Sequence, residues 1–336
     1  MICAVLAHAA FSPSIRVTDG LAPAALAALK AGGAIVVSEP ISDPSDLAAH
    51  DAVIIRSATT LGADALAAGA AGKLRVVGRA GVGVDNIDLA AAAAAGLWVL
   101  NTPGASTASV VELTLAHLLA STRQLATADR GLREGRWLKA ELAGFELGGK
   151  RLGLLGFGRI AQGVARAATA LGMEVDAHSP RADAAVAAAL GVRLHASPEE
   201  LFAACTHVSV HCALTERTAA LVDASMLARM PQAAADGTPC GAHLVNMARG
   251  GIVVEADAAA ALGSGTLRSY AADVFEAEPL PASSPLLACD GFVGTPHVGG
   301  ATFEAQARVG LELAAAVLAA LGGSRPADGV VCEGTS

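Results

Sequence analysis

Aromatic residues are scarce in this sequence, which has one Tyr, two Trp and seven Phe among 336 residues. Alanine instead supplies much of a hydrophobic fraction of 53%. Because alanine is the best helix former and fills little space, this composition predicts a helix-rich globular protein. The length is enough for about two domains of ordinary size.

Long apolar runs are also missing. The longest candidates, 89–100 and 311–321, are shorter than the roughly 20 residues that a membrane-spanning helix needs. The first eleven residues, MICAVLAHAAF, lack the basic start of a signal peptide and predict a strand over 2–7. These features lead us to expect a cytoplasmic protein that does not contact membranes.

The sequence has neither a basic stripe nor a cysteine pattern typical of metal sites. Its formal charge of −8 argues against nucleic acid as a partner. The six cysteines have no C-x-x-C spacing, so neither a zinc site nor a disulfide framework is indicated. We expect no metal and a reducing compartment.

Short apolar runs alternate with alanine-rich runs along most of the chain. Up to residue 100, the pattern predicts strands at 2–7, 34–37, 52–55, 74–77 and 97–100, with helices at 23–31, 44–49, 63–71 and 89–95. A second set of strands is predicted at 152–155, 174–177, 207–211, 243–246, 270–273 and 292–294. Strands that alternate with helices form parallel sheets, so we expect an α/β fold with two doubly wound sheets, Rossmann-like or flavodoxin-like.

Two long helices complete the predicted organisation, one over 106–125 and one over 303–321. The second has no strand of its own to cover, so we expect it to return to the first sheet. A substrate (catalytic) domain would then comprise 1–100 and 296–336, and a dinucleotide-binding domain 101–295. The tail from Gly322, rich in Gly, Pro and Ser, is expected to be loosely held.

A strand, a tight turn and a helix are predicted in the segment 150–172. The turn has the sequence GFGRIA at 156–161. Gly156 permits the tight turn, and Gly158 lets the backbone approach a pyrophosphate at the helix N-terminus. By itself the motif is equally typical of an ordinary strand-to-helix turn.

Charged or ionisable residues follow three predicted strands of the second sheet. The segments are NMARGG at 246–251, DVFEAEP at 273–279 and TPHVGG at 295–300. Ligands bind open α/β sheets at the carboxyl ends of their strands, so these loops are candidate parts of one site. Structural roles for Arg249 and His297, and Glu276 in place of Glu278, are alternatives that the residues alone leave open.

Together these motifs make the chain resemble the D-isomer-specific 2-hydroxyacid dehydrogenases. The resemblance covers about Val53–Gly310 and also includes IIRSAT at 54–59, VVGRAGVGVDNIDL at 76–89 and NTPGAS at 101–106. Within the family, the motifs look most like those of D-3-phosphoglycerate dehydrogenases, in a short form without a C-terminal regulatory domain. Several signatures in the right order make the resemblance specific to the family and less specific to the substrate.

The resemblance implies that Arg249, Glu278 and His297 form the catalytic set. His297 would be the acid/base in hydride transfer at the substrate C2, since imidazole alone among the three exchanges protons near neutrality. Glu278 would fix the tautomer of the imidazole and favour its charged form. Arg249 would hold the carboxylate and carbonyl oxygens of the substrate with its planar fork.

Residues for NAD or NADP and for the substrate follow from the same resemblance. The cofactor-binding candidates are Val82, Gly156, Gly158, Arg159, Ile160, Ser179, Arg181, Cys212, Met247, Ala248, Arg249, Asp273, His297, Gly299 and Gly300. The substrate-binding candidates are Arg56, Ser57, Ala80, Gly81, Val82, Asn101, Arg249 and His297, with Lys139 a weaker one. Glycines at 81 and 83 would leave backbone N–H groups open to an anion, whereas Arg56 as a solvated surface residue is the alternative.

The sequence departs from the family pattern at several positions. Ser179, followed by Arg181, stands where an acidic residue usually binds the adenosine ribose, so NADP is as well supported as NAD. Asp176 lies three residues earlier and is expected to miss the ribose. The segment 231–241 is longer than usual and is expected to be a surface loop on the far side of its strand from Arg249. Phe145 stands where phosphoglycerate dehydrogenases usually have a small polar residue.

We therefore predict an NAD(P)-dependent oxidoreductase that interconverts a D-2-hydroxyacid and its 2-oxoacid. The leading reaction is 3-phosphoglycerate to 3-phosphohydroxypyruvate, in serine biosynthesis, without serine feedback through a C-terminal domain. A glyoxylate/hydroxypyruvate reductase is the alternative within the class, and a nucleotide-sensing binding protein on the same scaffold is the alternative outside it. We expect a homodimer or a dimer of dimers built on the helix after Ser106, with hinges near Asn101 and Thr295.

Overall fold

The structure, a computed structural model, describes residues 12–334. The strand predicted at 2–7 lies outside the described residues. By its internal contacts the chain divides into unit 1, which comprises residues up to Ser106 and from Gly300, and unit 2, which comprises Thr107–Gly299. The sequence placed the corresponding boundaries at 100/101 and 295/296.

Strands and helices alternate along the described residues. The strands are β1 (Ser14–Val17), β2 (Ile35–Ser38), β3 (Ala52–Ile55), β4 (Val76–Arg79), β5 (Trp98–Leu100), β6 (Arg151–Leu155), β7 (Glu174–His178), β8 (Arg193–Leu194), β9 (His207–Val210), β10 (His243–Asn246), β11 (Ser269–Ala272), β12 (Phe292–Gly294) and β13 (Val330–Cys332). The helices are α1 (Pro23–Ala31), α2 (Ala63–Ala70), α3 (Leu89–Ala94), α4 (Thr107–Thr122), α5 (Leu125–Arg133), α6 (Arg159–Ala170), α7 (Ala184–Ala189), α8 (Pro198–Ala204), α9 (Ala224–Leu227), α10 (Glu255–Ser264) and α11 (Phe303–Leu321). Two 3-10 helices cover Pro44–Ala49 and Pro285–Ala288. Among residues 12–334, no helix combines the length and apolar character that crossing a bilayer would require.

Unit 1 is built on a six-stranded sheet in the order β13-β5-β4-β3-β1-β2. Successive residues of β3 point to opposite faces: Ala52 and Ile54 pack with α1 and α11, whereas Val53 and Ile55 pack with the 3-10 helix at 44–49, α2 and α3. All four residues of β3 are buried, as expected for a strand covered on both sides. The return of α11 to the first sheet is therefore confirmed.

The C-terminal tail differs from the prediction. It was expected to be loosely held, but β13 pairs with β5 and runs antiparallel to it, unlike the other described strands of this sheet. The turn into β13 is tight, because a Cβ at Gly329 would lie 2.1 Å from the Asn101 carbonyl oxygen. The tail is rich in Gly, Pro and Ser but contains the short apolar strand β13, so the prediction of a loosely held tail was wrong for these residues.

Unit 2 is built on a seven-stranded parallel sheet in the order β12-β11-β10-β9-β6-β7-β8. One face is covered by α8, α9 and α10 and the other by α4, α6 and α7. The predicted doubly wound sheet is confirmed, apart from the two-residue edge strand β8, which has too short a pattern to detect. The segment 231–241 forms a turn before β10, with Ala233 bridged to Pro239, and so lies at the opposite end of that strand from Arg249.

The long helix predicted over 106–125 is interrupted. It ends at Thr122, and Gln124 adopts a left-handed conformation with φ +52° before α5 begins. The hydroxyls of Ser121 and Thr122 donate to carbonyl oxygens of the preceding turn, at His117 and Leu118. Such bonds compete with the backbone ladder of a helix, which explains why it ends here despite its apolar pattern.

Two histidines stack inside unit 2 where β9 and β10 begin. The ring centroids of His207 and His243 are 4.4 Å apart, and the edge of Phe145 faces His243 from a centroid distance of 6.5 Å. Burial lowers the pKa of His207, and the nearby His243 and Lys150 add to the effect. Burial also lowers the pKa of His243, to about 4. Both rings are therefore neutral at pH 7.

We predict that acid destabilises the fold through this pair. An unfolded histidine has a pKa of about 6.5, so below that value the unfolded chain binds protons that the folded chain does not. Lowering the pH from 6.5 to 5 should reduce the free energy of unfolding by about 1.5 kcal/mol for each such histidine. His207→Phe keeps an aromatic ring in the stack and removes one titrating group. The free energy of unfolding, measured with urea, should therefore fall less between these pH values in the variant than in the parent. An equal fall in both proteins would contradict the assignment of a neutral, buried His207.

Candidate active site

Three loops leave adjacent strands of unit 2 at the same edge of its sheet. Strands β10, β11 and β12 are neighbours and parallel. The loops that follow them carry Arg249, Glu278 and His297 respectively. Adjacent parallel strands end on one side, so the strand order itself brings these loops together.

His297 and Glu278 are in direct contact. Nδ1 of His297 lies 2.7 Å from Oε2 of Glu278. The second carboxylate oxygen, Oε1, accepts a hydrogen bond of 3.1 Å from the backbone N–H of Phe275. Because each oxygen has its own partner, the carboxylate is held in one orientation and Nδ1 donates to it. The imidazole Nε2 is then the atom available for proton exchange, on a side chain that is 41% exposed.

Glu276 has a different role from its neighbour Glu278. Its carboxylate accepts from the backbone N–H of Glu255, and the carboxylate of Glu255 accepts from the N–H of Glu276. This reciprocal pair joins the loop to the first residue of α10. Burial raises the pKa of Glu255, against the hydrogen bond from the Glu276 N–H, which lowers it. The alternative in which Glu276 partners His297 is not what the structure shows.

The Arg249 loop is shaped by the side chain of Asn246. The Asn246 amide donates to the Arg249 carbonyl oxygen at 2.9 Å, and its oxygen accepts from the Ala248 N–H at 3.1 Å. Nη1 of Arg249 donates to the Ala248 carbonyl oxygen at 2.7 Å. The next residue, Gly250, lies against the Phe275 backbone. The loops that carry Arg249 and Glu278 are thus packed backbone against backbone.

Asp273 organises the loop that carries His297. Its carboxylate accepts from the Thr295 hydroxyl at 2.6 Å and from the backbone N–H groups of Val298 and Gly299 at 2.8 Å each. The residue is only 3% exposed. The sequence proposed Asp273 and Gly299 as cofactor-binding residues, and the structure shows them bonded to each other.

The residues of the glycine-rich turn fit a dinucleotide. Gly156 has φ +102°, and a Cβ there would lie 2.7 Å from the backbone of His211 and Cys212. A Cβ at Gly158 would meet nothing within 4 Å, and Gly158 precedes α6 without any side-chain cap. A close turn, an open surface and uncapped helix N–H groups are the features that a pyrophosphate requires.

His211 is a functional candidate that the sequence did not single out. It follows β9, beside Gly156, and its Nε2 is 2.8 Å from the Ser209 hydroxyl. Its Nδ1 is buried without a hydrogen-bond partner among the described residues. Burial lowers the pKa of His211 to about 4, so the ring is neutral, and burial raises the pKa of the adjacent Cys212 thiol to about 11. A neutral imidazole with an unused nitrogen is consistent with a polar ligand at this turn.

The ribose-binding candidates lie after β7. Ser179 is half-buried and Arg181 is exposed. The carboxylate of Asp176 instead accepts hydrogen bonds from Arg193 at 2.5 Å and from His195 at 2.7 Å. It is therefore not available to a ribose, as the sequence predicted.

Six of the substrate-binding candidates, those from Arg56 to Asn101, belong to unit 1, whereas Arg249, His297 and the weaker candidate Lys139 belong to unit 2. Loops after β3, β4 and β5 carry Arg56, Gly81 and Asn101. The Asn101 amide donates to the Val82 carbonyl oxygen at 2.7 Å. Gly81 has φ +144°, and a Cβ there would lie 1.7 Å from the Arg79 guanidinium. Val82 and Gly300, proposed for the cofactor, also belong to unit 1, whereas the other cofactor candidates belong to unit 2.

Two further residues hold the Arg56 loop, and the sequence indicated neither. The carboxylate of Asp19 accepts from the backbone N–H groups of Arg56 and Thr59 and from the Thr59 hydroxyl. The amide of Asn86 donates to the carbonyl oxygens of the same two residues. Asn86 lies inside the VGVDNIDL motif, but nothing in its spacing identified this partner.

The sequence of this chain is similar to known dehydrogenases. The family model described as "D-isomer specific 2-hydroxyacid dehydrogenase, NAD binding domain" matches residues 115–299. The D-3-phosphoglycerate dehydrogenase of Mycobacterium tuberculosis is 42% identical over 323 residues, which are 95% of this chain and 58% of that protein. This chain therefore spans a little over half the length of that curated relative.

Solved structures agree on the fold. A protein from Thermus thermophilus aligns with a TM-score of 0.84 and 33% identity, covering 95% of this chain and 100% of that one. An NADPH-dependent glyoxylate/hydroxypyruvate reductase from Sinorhizobium meliloti, in complex with NADP and malonate, aligns with a TM-score of 0.83 and 26% identity. That alignment covers 96% of this chain and 97% of the other.

We predict that Gly250→Ala disrupts the paired loops. The added Cβ would lie 1.8 Å from the Phe275 carbonyl oxygen, so one backbone must move, and the free energy of unfolding should fall by about 3 kcal/mol. The matched control is Gly263→Ala in α10, where a Cβ meets nothing within 4 Å and stability should not fall. Urea unfolding measures both variants, and equal stability of Gly250→Ala and the parent would exclude the close approach.

Proposed function

Because the chain belongs to the D-isomer-specific 2-hydroxyacid dehydrogenase family, we propose that it interconverts a D-2-hydroxyacid and its 2-oxoacid. The observation that carries this proposal is the 2.7 Å contact between His297 and Glu278, on loops adjacent to that of Arg249. A protein that only senses a nucleotide needs the glycine-rich turn but not an oriented imidazole. The retained contact therefore favours an enzyme.

The proposed mechanism assigns one task to each side chain. The glycine-rich turn at 156–161 would hold the dinucleotide, whose nicotinamide would supply the hydride acceptor for the substrate C2. Nε2 of His297 takes the hydroxyl proton as the C–O single bond becomes a carbonyl. Glu278 keeps the other ring nitrogen protonated and stabilises the imidazolium that results. Arg249 binds the substrate carboxylate and the oxygen on which charge develops.

We propose 3-phosphoglycerate as the substrate, oxidised to 3-phosphohydroxypyruvate for serine biosynthesis. Curated relatives at 38–43% identity are named D-3-phosphoglycerate dehydrogenases, which supports this choice. Arg56, on a loop that Asp19 and Asn86 immobilise, supplies a cation suited to a phosphate. Ser57 and the backbone around Gly81 complete the proposed anion site.

The cofactor proposal is NAD, with NADP as a competitor. The family model that matches this chain is an NAD-binding domain. Ser179 and Arg181 nevertheless lack the negative charge that repels a 2′-phosphate. The similarity to an NADPH-dependent reductase makes glyoxylate or hydroxypyruvate reduction with NADPH the second candidate function.

A homodimer is the proposed assembly. Apolar side chains of α5 and the segment after it are unusually exposed: Leu125 is 61%, Leu132 59% and Trp137 78% exposed. Such a patch marks an association surface, and a second copy of the chain would cover it, giving a sedimentation mass of twice 33.2 kDa.

The five described cysteines are all free thiols, which supports a reducing cytoplasm.

We predict that the purified protein turns over 3-phosphoglycerate and that His297→Ala abolishes turnover. The parent is assayed with 3-phosphoglycerate, hydroxypyruvate and glyoxylate, each with the NAD and NADP couples. His297→Ala removes the acid/base but no residue of the glycine-rich turn, so cofactor binding by calorimetry should persist while turnover falls at least about 1000-fold. A parent that binds cofactor but acts on none of the acids would favour the sensor.

We further predict that Arg56 discriminates between substrates. In Arg56→Gln, kcat/KM for 3-phosphoglycerate should fall about 100-fold, because a charge-assisted bond to phosphate is lost. Glyoxylate carries no phosphate, so its kcat/KM should change less than about threefold. Equal losses for both acids would remove Arg56 from the phosphate site, and higher activity with glyoxylate in the parent would favour the reductase.

A further inference from the structure

His117 is buried in α4, far along the chain from the proposed catalytic loops, yet it contacts one of them. The residue is 2% exposed. Its Nε2 lies 2.9 Å from the hydroxyl of Thr295, two residues before His297. Neither the glycine-rich turn nor the proposed proton chemistry accounts for a buried imidazole at this place.

The hydrogen-bond donors in this contact can be assigned. Both oxygens of Asp273 accept from backbone N–H groups, Oδ1 from Val298 and Oδ2 from Gly299. The Thr295 hydroxyl, 2.6 Å from Oδ1, must therefore give its single proton to the carboxylate. A hydroxyl that has used its proton can only accept, so Nε2 of His117 carries a hydrogen and donates to it.

These bonds form a directed relay from α4 to the loop: His117 N–H to Thr295 O–H to the Asp273 carboxylate. Burial lowers the pKa of His117, against an opposing effect of Asp273, so the ring is neutral at pH 7 and has one N–H to donate. A neutral donor orders Thr295 without placing a second charge beside Asp273. Thr295 also fixes the chain direction, because its carbonyl oxygen accepts from the N–H of His297 at 3.0 Å.

The loop needs such support because of its conformation. His297 has φ +52°, a left-handed value that residues with a Cβ seldom adopt and that persists only where surrounding bonds impose it. The hydrogen bonds from Val298 and Gly299 to Asp273 hold the chain after His297. The hydrogen bonds of the Thr295 hydroxyl with His117 and Asp273 hold the chain before it.

We propose that His117 is a positioning residue, whose Nε2–H orders Thr295 and so maintains the strained loop that presents His297 to Glu278. The relay consists of described contacts, whereas its effect on turnover rests on the proposed function. His117 acts through the hydroxyl of Thr295, so its loss should lower kcat more than it weakens the binding of cofactor.

The test compares His117→Leu with His117→Gln. Leucine fills the space without a donor, whereas the glutamine amide places an N–H at about the distance of Nε2. In His117→Leu, amide exchange at Val298 and Gly299 should accelerate about tenfold and kcat should fall about tenfold, with a smaller change in the cofactor Kd. His117→Gln should restore most of both. Thr114→Val is the control on the same helix, because the Thr114 hydroxyl bonds to the Val110 carbonyl oxygen and, within residues 12–334, to no residue of the relay.

The exchange measurement separates this inference from the proposed function. Faster exchange in His117→Leu with rescue by glutamine supports the relay even if the parent acts on no 2-hydroxyacid, a result that would overturn the function alone. Exchange equal to the parent in His117→Leu, or equal damage by leucine and glutamine, overturns the relay. If His117→Leu does not fold, Thr295→Val against Thr295→Ser makes the same comparison, since only serine retains the hydroxyl.

Discussion

The loop that carries His297 is folded around the buried carboxylate of Asp273. One side chain satisfies the N–H groups of Val298 and Gly299 and the hydroxyl of Thr295. Backbone N–H groups in an irregular buried loop have no ladder to pair with and cost free energy if left unpaired. Asp273 supplies the missing acceptors, and in doing so it determines where the imidazole is placed. The contact of His297 with Glu278 depends on this arrangement.

Unit 1 uses the same device on a different loop. Asp19 follows β1 as Asp273 follows β11, and its carboxylate accepts two backbone N–H groups and one threonine hydroxyl from the segment Arg56–Thr59. In each unit, then, an acidic residue after a strand immobilises a loop that carries a cationic or proton-exchanging side chain. Preorganised groups of this kind lose little entropy when a ligand binds. Asp19 and Asp273 therefore contribute to the proposed site by fixing the loops that carry Arg56 and His297.

Much of the fold was predictable because it depends on local patterns. Buried strands such as β3 are continuous apolar runs, and the hydroxyl of Thr302, the residue before α11, caps that helix. Errors arose where side chains altered the local preference, as in the break after Thr122, or where pairing involved very few residues, as in β8 and β13. The residue types alone did not distinguish Glu278 from Glu276, and the family resemblance favoured Glu278. In the structure it is Glu278 that contacts His297, whereas Glu276 pairs with Glu255.

The contribution of His117 could not have been predicted from the sequence for a related reason. A single histidine in an apolar helix is typical of a satisfied core residue, and its pattern does not reveal which strand the helix covers. Its significance arises from pairing across 178 positions of the chain, with a threonine whose own proton is already committed to Asp273. The direction of a hydrogen bond is thus decided by the rest of its network, so a role of this kind appears only when every donor and acceptor around the loop is assigned.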